Sequence, residues 1–480
     1  MSRIASPSAS ARNRYLVWLV AGAFFMELLD STVITTALPQ MAQSFHTLPI
    51  HLSMGVSAYM LALAVFIPLS GWMADRFGPR QVFGGAILIF TFASVLCSLS
   101  DNLWFFTAAR ILQGFGGAMM VPVGRLVVLR ATPKDKLVGA IAMLTWPALG
   151  APVLGPVLGG YITTHWGWHW IFLLNVPFGL LGFALTLLLV EGEPGGARPF
   201  DVKGFILSGV GCSALMFACD LASHSPFDMW QVGLCAALGV ATLAWAGHHL
   251  RRTPHPLVDL SAFSVRTFLV SMRGGFLFRM AINSAPFLMP LMFQLAFGFS
   301  ATTSGLLLLA LFAGNIAMKP ATTPWMRAWG FRGVLIANGV LVAAGFVLCM
   351  FLTADTPRTV IMLVLFFTGL SRSMQFTGFS TFSFCDIAPA RMSGASTLSS
   401  ILVQMSAGLG VAIGAVLLKA ASVWFPAEGH AMSREAFQVA FAFMALLSLV
   451  GLIDLFSIPA DAGDEVSGRA ARQRALRGRA

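Results

Sequence analysis

The chain has 480 residues, of which 57% are hydrophobic and only 10% charged, with a formal net charge of +11. An ordinary soluble domain is about 45–50% apolar and about 25% charged, so this chain could not cover its own surface in water. A cytosolic enzyme, a nucleic-acid binder and a disordered scaffold are excluded, and an integral membrane protein built of helices remains.

A membrane-spanning helix needs about 20 mostly apolar residues. In chain order, fourteen stretches qualify: 15–38, 51–74, 81–99, 103–128, 137–163, 168–190, 203–221, 228–249, 267–297, 302–319, 332–352, 359–381, 394–420 and 436–458. The first exceeds the roughly 7–15 apolar residues of a signal-peptide core and reads as a span. Direction follows from Lys and Arg, which concentrate on cytoplasmic loops. With fourteen spans, one face receives 22 of the 30 cations, from Arg3, Arg12 and Arg14 through Arg76, Arg80, Arg130, Lys319 and Arg332 to the tail arginines. The other face has only Arg358, Lys419 and Arg434. Both termini are therefore expected in the cytoplasm. Arg110, Arg125, Arg273, Arg279 and Arg372 fall inside spans; Arg125 and Arg273 can snorkel to the cytoplasmic face, and Arg372 can line a cavity. The six cysteines lie in apolar stretches and read as packing residues, with no metal or cofactor site expected.

Shifted by 252 residues, the chain partly matches itself. Gly78, Arg80 and Val82 fall on Gly330, Arg332 and Val334, and the first span falls on the ninth. Both copies lie on the cation-rich face, so the repeat is parallel, an arrangement of secondary transporters with the substrate site between the halves. The expected domains are a six-helix bundle over 1–190, a linker with two extra spans over 191–262, a second six-helix bundle over 263–460 and a basic tail over 461–480. No phosphate-binding loop of the form G-x-x-x-x-G-K-[ST] and no H-E-x-x-H occurs, so energy is expected from an ion gradient.

Charges within the bilayer are expensive and mark functional candidates. Glu27 and Asp30 are three apart on the first span and share a helix face. At 1.5 Å per residue, Asp30 lies about 10 Å below the outer end of its span and Arg110 about 9 Å below the outer end of the fourth. The matching depths predict an Asp30–Arg110 interaction, either a proton-sensitive switch or a static buried pair. Glu27 maps onto Arg279 under the repeat. It is expected to meet Arg279 across the cavity, attract cationic cargo, carry the proton, or pair locally. Phe24, Phe278, Met289 and Phe293 are candidates for an apolar wall, with core packing as the alternative.

Five segments resemble motifs of the major facilitator superfamily, in its fourteen-span drug:proton antiporter branch. Gly71-Trp-Met-Ala-Asp75-Arg76-Phe-Gly78-Pro-Arg80 is similar to motif A, and Leu29-Asp30 through Pro39 to the first-span motif. Arg110-Ile-Leu-Gln113-Gly114 through Pro122 resembles motif B. Ala151-Pro-Val-Leu-Gly155-Pro156-Val-Leu-Gly159-Gly160 resembles the antiporter motif C. Trp168 through Gly179, containing Asn175, resembles the sixth-span signature. The resemblance implies an all-α membrane fold of two six-helix bundles plus two linker helices. It also implies efflux of amphipathic small molecules in exchange for protons, without catalytic residues or cofactors. The alternative on the same fold is an exporter of one metabolite such as a siderophore, sugar or amino acid. Motif A would latch the halves, with Asp75 capping a helix or pairing with Arg76, Arg80 or Arg130. The small face of motif C would pack the fifth span against the tenth. The implied partners are a small-molecule substrate, protons and membrane lipid, with no nucleic acid. A monomer in the inner (plasma) membrane is expected.

Overall fold

The computed structural model describes residues 9–47, 49–192, 196, 199–223, 228–425, 432–459, 461–467 and 469. All of its regular elements among these residues are helical. In order they are α1 (Ala9–Ser44), α2 (Pro49–Phe66), α3 (Ser70–Phe77), α4 (Pro79–Ser98), α5 (Leu103–Ala131), α6 (Leu137–His165), α7 (His169–Leu173), α8 (Asn175–Leu189), α9 (Val202–Ser223), α10 (Met229–Arg252), α11 (Arg266–Leu291), α12 (Ala301–Ala317), α13 (Lys319–Met350), α14 (Arg358–Phe382), α15 (Met392–Trp424), α16 (Arg434–Val450) and α17 (Asp464–Ser467). Each of the fourteen expected stretches is helical. Twelve helices among the described residues are long and apolar enough to cross a membrane. The two outside that number are α12, with only 17 residues, and α6, with 29 residues but side chains at 146–149 outside those described. Most of the basic tail, including Arg472, Arg474, Arg477 and Arg479, also lies outside the described residues, as do Arg3 and Arg198.

The packing repeats. In the first half α1 lies on α6, α2 on α5, α4 on α5 and α4 on α8. In the second half α11 lies on α15, α12 on α14, α13 on α14 and α13 on α16. The turn of motif A appears twice: Gly78 has φ 86° and Gly330, 252 residues later, has φ 71°. An L side chain at such a φ is strained because its Cβ crowds the following carbonyl, so both turns require glycine. Of the extra pair, α9 packs against α10 and against both halves, on α2 and on α15. Its start is tied to the end of α10 by Asp201, which accepts hydrogen bonds from Gly204 N at 2.8 Å and Leu257 N at 3.3 Å and lies 2.9 Å from His249 Nε2. Burial pushes the Asp201 carboxyl up, but these partners outweigh it and hold it below its ordinary value.

Small residues set the close approaches, as expected where lipid offers helices little hydrophobic drive to associate. A Cβ at Gly114 would lie 2.7 Å from the Tyr59 carbonyl oxygen, and one at Gly116 2.8 Å from the Phe90 nitrogen. The motif C face makes such a contact too, but not with the expected helix. A Cβ at Gly155 would lie 2.2 Å from Thr32 Oγ1, and one at Gly159 2.4 Å from Thr36 Oγ1, so this face of α6 packs on α1 of its own bundle. A spacing of four identifies a small face, not what it packs against. α6 also reaches α12, α13 and α14 of the second bundle. Gly160 faces open space, and the side chain of Pro156 lies outside the described residues.

Replacing Gly330 with Ala should cost about 1–2 kcal/mol through its positive φ. Gly333, in helical backbone with only Trp329 Cβ near at 3.9 Å, should accept Ala at little cost. Thermal unfolding of the two purified variants checks this; equal melting shifts would contradict the turn assignment.

Candidate functional site

The first bundle is built around one buried carboxylate. Asp30 comes from α1 with its side chain 1% exposed, and Arg110 from α5 with its side chain fully buried. Arg110 Nη1 donates to Asp30 Oδ2 at 2.6 Å and to Gln113 Oε1, one turn on, also at 2.6 Å. Asp30 Oδ1 accepts from Gln113 Nε2 at 2.9 Å and from Asn175 Nδ2 at 2.8 Å. Ser94 on α4 accepts from the same two amides, at 2.8 Å and 3.2 Å. The Arg110 guanidinium also stacks 4.4 Å from the centre of the Tyr59 ring on α2, a cation–π contact. One carboxylate thus joins α1, α4, α5 and α8, with α2 held through the arginine.

The chemistry follows from the donor count. The two oxygens of Asp30 receive three N–H groups, and the three residues that bear them, Arg110, Gln113 and Asn175, are all buried. A proton on Asp30 would remove the charge that strengthens these three bonds and add an O–H that none of the three N–H donors can accept. Charge-assisted bonds of this kind are the stronger ones, and the pair lies where water is excluded.

Glu27, one turn before Asp30, faces elsewhere. It lines two adjoining cavities between the halves, of about 170 and 370 Å³, which also share Leu28, Leu63 and Gln404. Its Oε1 and the Tyr59 hydroxyl both lie against Gly117, while its buried Oε2 finds no hydrogen-bond partner. The smaller cavity is walled by both bundles: Phe24, Val121 and Arg125 on one side, Phe376, Ser380, Ser400 and Val403 on the other. The larger lies on the side away from motif A and includes Ser57, Met216 and Asp220, the last two from the extra helix α9. Asp30 lines neither.

The halves are joined on the motif A side. Ser393 Oγ donates to the Gly71 carbonyl at 3.2 Å, Ser70 and Thr397 hydroxyls lie 3.2 Å apart, and Ser396 Oγ donates to the Pro122 carbonyl at 2.8 Å. Arg125 Nη1 reaches Ser399 Oγ at 3.2 Å. Gly71 is needed here, since a Cβ would sit 2.6 Å from Thr397 Oγ1. The charged members of motif A act within the first bundle. Asp75 faces Arg130 at 3.8 Å, and Arg80 donates to the Leu187 carbonyl in the last turn of α8, a favourable place for a cation. Arg76 is exposed, and Gly78 makes the turn.

Several sequence expectations are relocated. Glu27 and Arg279 form no ion pair in this structure; the Arg279 guanidinium lies 5.9 Å from the Phe376 ring centre. Phe278 and Met289 are core residues of the second bundle and line neither cavity: Phe278 packs on Phe379 at 5.3 Å and beside Gly339 and Gly451. A sequence shift relates depths but does not say which way a side chain turns. Lys319, assigned to the cation-rich face, instead bridges Thr145 of α6 and Thr377 of α14, because α13 begins before the turn at Gly330. Arg125 does not snorkel but walls the cavity, whereas Arg273 meets Asp454 at 3.4 Å. Ser94, Tyr59 and Gln404 were not singled out; each is a polar side chain in an apolar run, which alone is a weak signal.

Paired helical bundles around a central cavity, with buried charges, have the architecture of a multi-pass membrane transporter. The family model of the Major Facilitator Superfamily matches residues 20–401 and 274–478, and the chain belongs to that superfamily. It is 35% identical over 454 residues to a Pectobacterium carotovorum subsp. carotovorum protein that carries the name multidrug resistance protein MdtD, covering 94% of this chain and 97% of the relative. A protein of the same name from Escherichia coli O6:H1 is 37% identical over 406 residues, covering 85% and 86%. Among solved structures, the human organic anion transporter MFSD10 aligns with a TM-score of 0.65 at 14% identity, over 92% of this chain and 99% of that one. The proton:xylose symporter XylE aligns at 0.66 and 14%, over 96% and 99%.

Removing one member of a buried ion pair leaves an uncompensated charge and typically costs about 3–5 kcal/mol. Arg110→Leu should therefore lower thermal stability sharply, and adding Asp30→Asn to it should recover much of the loss. A double-mutant cycle of melting temperatures measures this; additive losses would contradict the pairing.

Proposed function

We propose that the chain exports amphipathic small molecules in exchange for protons by alternating access. The supporting observation is the Asp30–Arg110–Gln113–Asn175 network, a carboxylate whose protonation would weaken the bonds that hold α5 and α8 to α1, set one helical turn from an acid that lines the central cavity. The relatives named for multidrug resistance support the direction and the breadth of cargo. The family's motif A face is cytoplasmic in this account, as the placement of Lys and Arg requires, so both termini lie in the cytoplasm of a cell whose inner (plasma) membrane holds the protein. Bonds between the halves on that side and a cavity beyond them correspond to a state open to the outside.

In the working cycle, the bundles over 1–190 and 263–460 rock about the cavity while 191–262 stays against both. Protons arrive from outside by way of Glu27, the acid with access to the cavity, and reach Asp30. Protonated Asp30 releases Arg110, which frees α5 and α8 to shift against α1. The motif A contacts, at Gly71 and Ser70 with α15, hold the outward-open state until this happens. The unit of function is a monomer in contact with lipid.

Asp30→Asn should lower efflux driven by a pH gradient by roughly tenfold or more, while exchange of labelled cargo without a gradient persists. Proteoliposomes with the purified variant measure both. Export against a concentration gradient at the wild-type rate would contradict the assigned coupling.

A further inference from the structure

Asp30 answers Arg110, but the other arginines at the centre have no such partner. Arg125, Arg279 and Arg372 take part in none of the ion pairs formed by the described residues. Arg279 is 2% exposed, and its Nε and Nη2 find no hydrogen-bond partner in the protein. Its guanidinium stacks on Phe376, a residue of the smaller cavity's wall. Arg372 lies one turn before Phe376 on the same face of α14, and its buried Nη1 is likewise without a partner. Arg125 stands on the wall of that cavity and gives one N–H to Ser399. On the first bundle's side, the same cavity carries the opposite deficit: Glu27 Oε2 is buried without a donor. Phe24, Leu28, Leu63 and Val121 supply apolar wall between them.

Buried polar groups in proteins are nearly always hydrogen-bonded, and guanidinium groups present a planar fork suited to carboxylates. Here an unpaired carboxylate oxygen and the Arg125 guanidinium border one cavity, and the unpaired nitrogens of Arg279 lie behind Phe376 of its wall. We propose that this cavity binds a zwitterionic amphiphile, with its carboxylate or sulfonate on Arg125, backed by Arg279 behind Phe376, and its ammonium on Glu27. The assignment rests on the export reading above and narrows its cargo. A simple lipophilic cation would meet the like charge of Arg125, with Arg279 behind it, and a simple anion would face Glu27. The ammonium and the proton would compete for one carboxylate, so loading cargo from inside expels the proton, as exchange requires.

Three compounds with one apolar body test this: Nε-dansyl-lysine, a zwitterion; its methyl ester, a cation; and its Nα-acetyl derivative, an anion. Dansyl fluorescence reports binding to the purified full-length protein. The zwitterion should bind about tenfold more tightly than either derivative. Arg125→Gln should abolish its advantage over the ester, and Glu27→Gln its advantage over the acetyl derivative. If Arg125→Gln does not fold, Arg279→Gln is expected to reduce the same advantage. An ester that binds wild type as well as the zwitterion does, or an advantage that survives in the folded arginine variant, overturns the proposal. In proteoliposomes, the largest proton release on adding the zwitterion supports it. Release by the ester and not the zwitterion overturns the cargo assignment and leaves proton-coupled export standing; release by none of the three overturns both.

Discussion

Everything in the first bundle is arranged to keep one carboxylate out of water. Asp30 has no solvent to hydrate it, and a buried charge is tolerated only when paired and hydrogen-bonded. Its partners therefore come from three other helices: Arg110 and Gln113 from α5, Asn175 from α8, with Ser94 of α4 holding both amides. Satisfying Asp30 fixes how these helices sit against α1. A change of its charge therefore acts on bonds that these helices share. The glycines at 114, 155 and 159 make the arrangement possible by letting backbones approach to the distances these short side chains can bridge.

The second bundle repeats the packing but not the charge pairing. Where α1 carries Glu27, α11 carries Arg279, and where the first bundle encloses a matched pair, the second presents guanidinium groups without acids. This asymmetry divides the labour. In the proposed cycle, the first bundle holds the group whose protonation is read out as motion, and the second backs the cavity with Arg279 behind Phe376. The cavity lies where the two meet, closed on the motif A side by hydroxyl and backbone contacts at Ser70, Gly71 and Pro122 that one bundle can break without stranding a buried charge.

Much of this was legible in the amino-acid order, for definable reasons. Length and hydropathy mark spans because lipid demands about 20 apolar residues. The internal repeat shows itself at Gly78 and Gly330 because a positive φ accepts little else. Asp30 and Arg110 could be matched because charge is rare in a bilayer and depth follows from residue count. What depth does not supply is azimuth. Asn175 stood within a recognised signature, yet nothing in its neighbours said that it points at Asp30. The motif C glycines disclosed a small face but not that α1 covers it, and Phe278 and Met289 lay at the right depth on the wrong side of their helix. Lys319, expected in a loop, instead opens α13 eleven residues before the turn at Gly330 and bonds Thr145 and Thr377, a helix boundary that hydropathy alone does not set.

The central claim is that the charge on Asp30 governs how the two bundles sit. Spin labels at Leu99 and Trp424, exposed positions at the ends of α4 and α15 away from motif A, report the separation of the bundles there by pulsed electron resonance. Moving from alkaline to acidic buffer should shift that distance distribution in the wild-type background and leave it unchanged when Asp30 is Asn. A shift of the same size with Asn in place would contradict the claim, as would a wild-type distribution indifferent to pH.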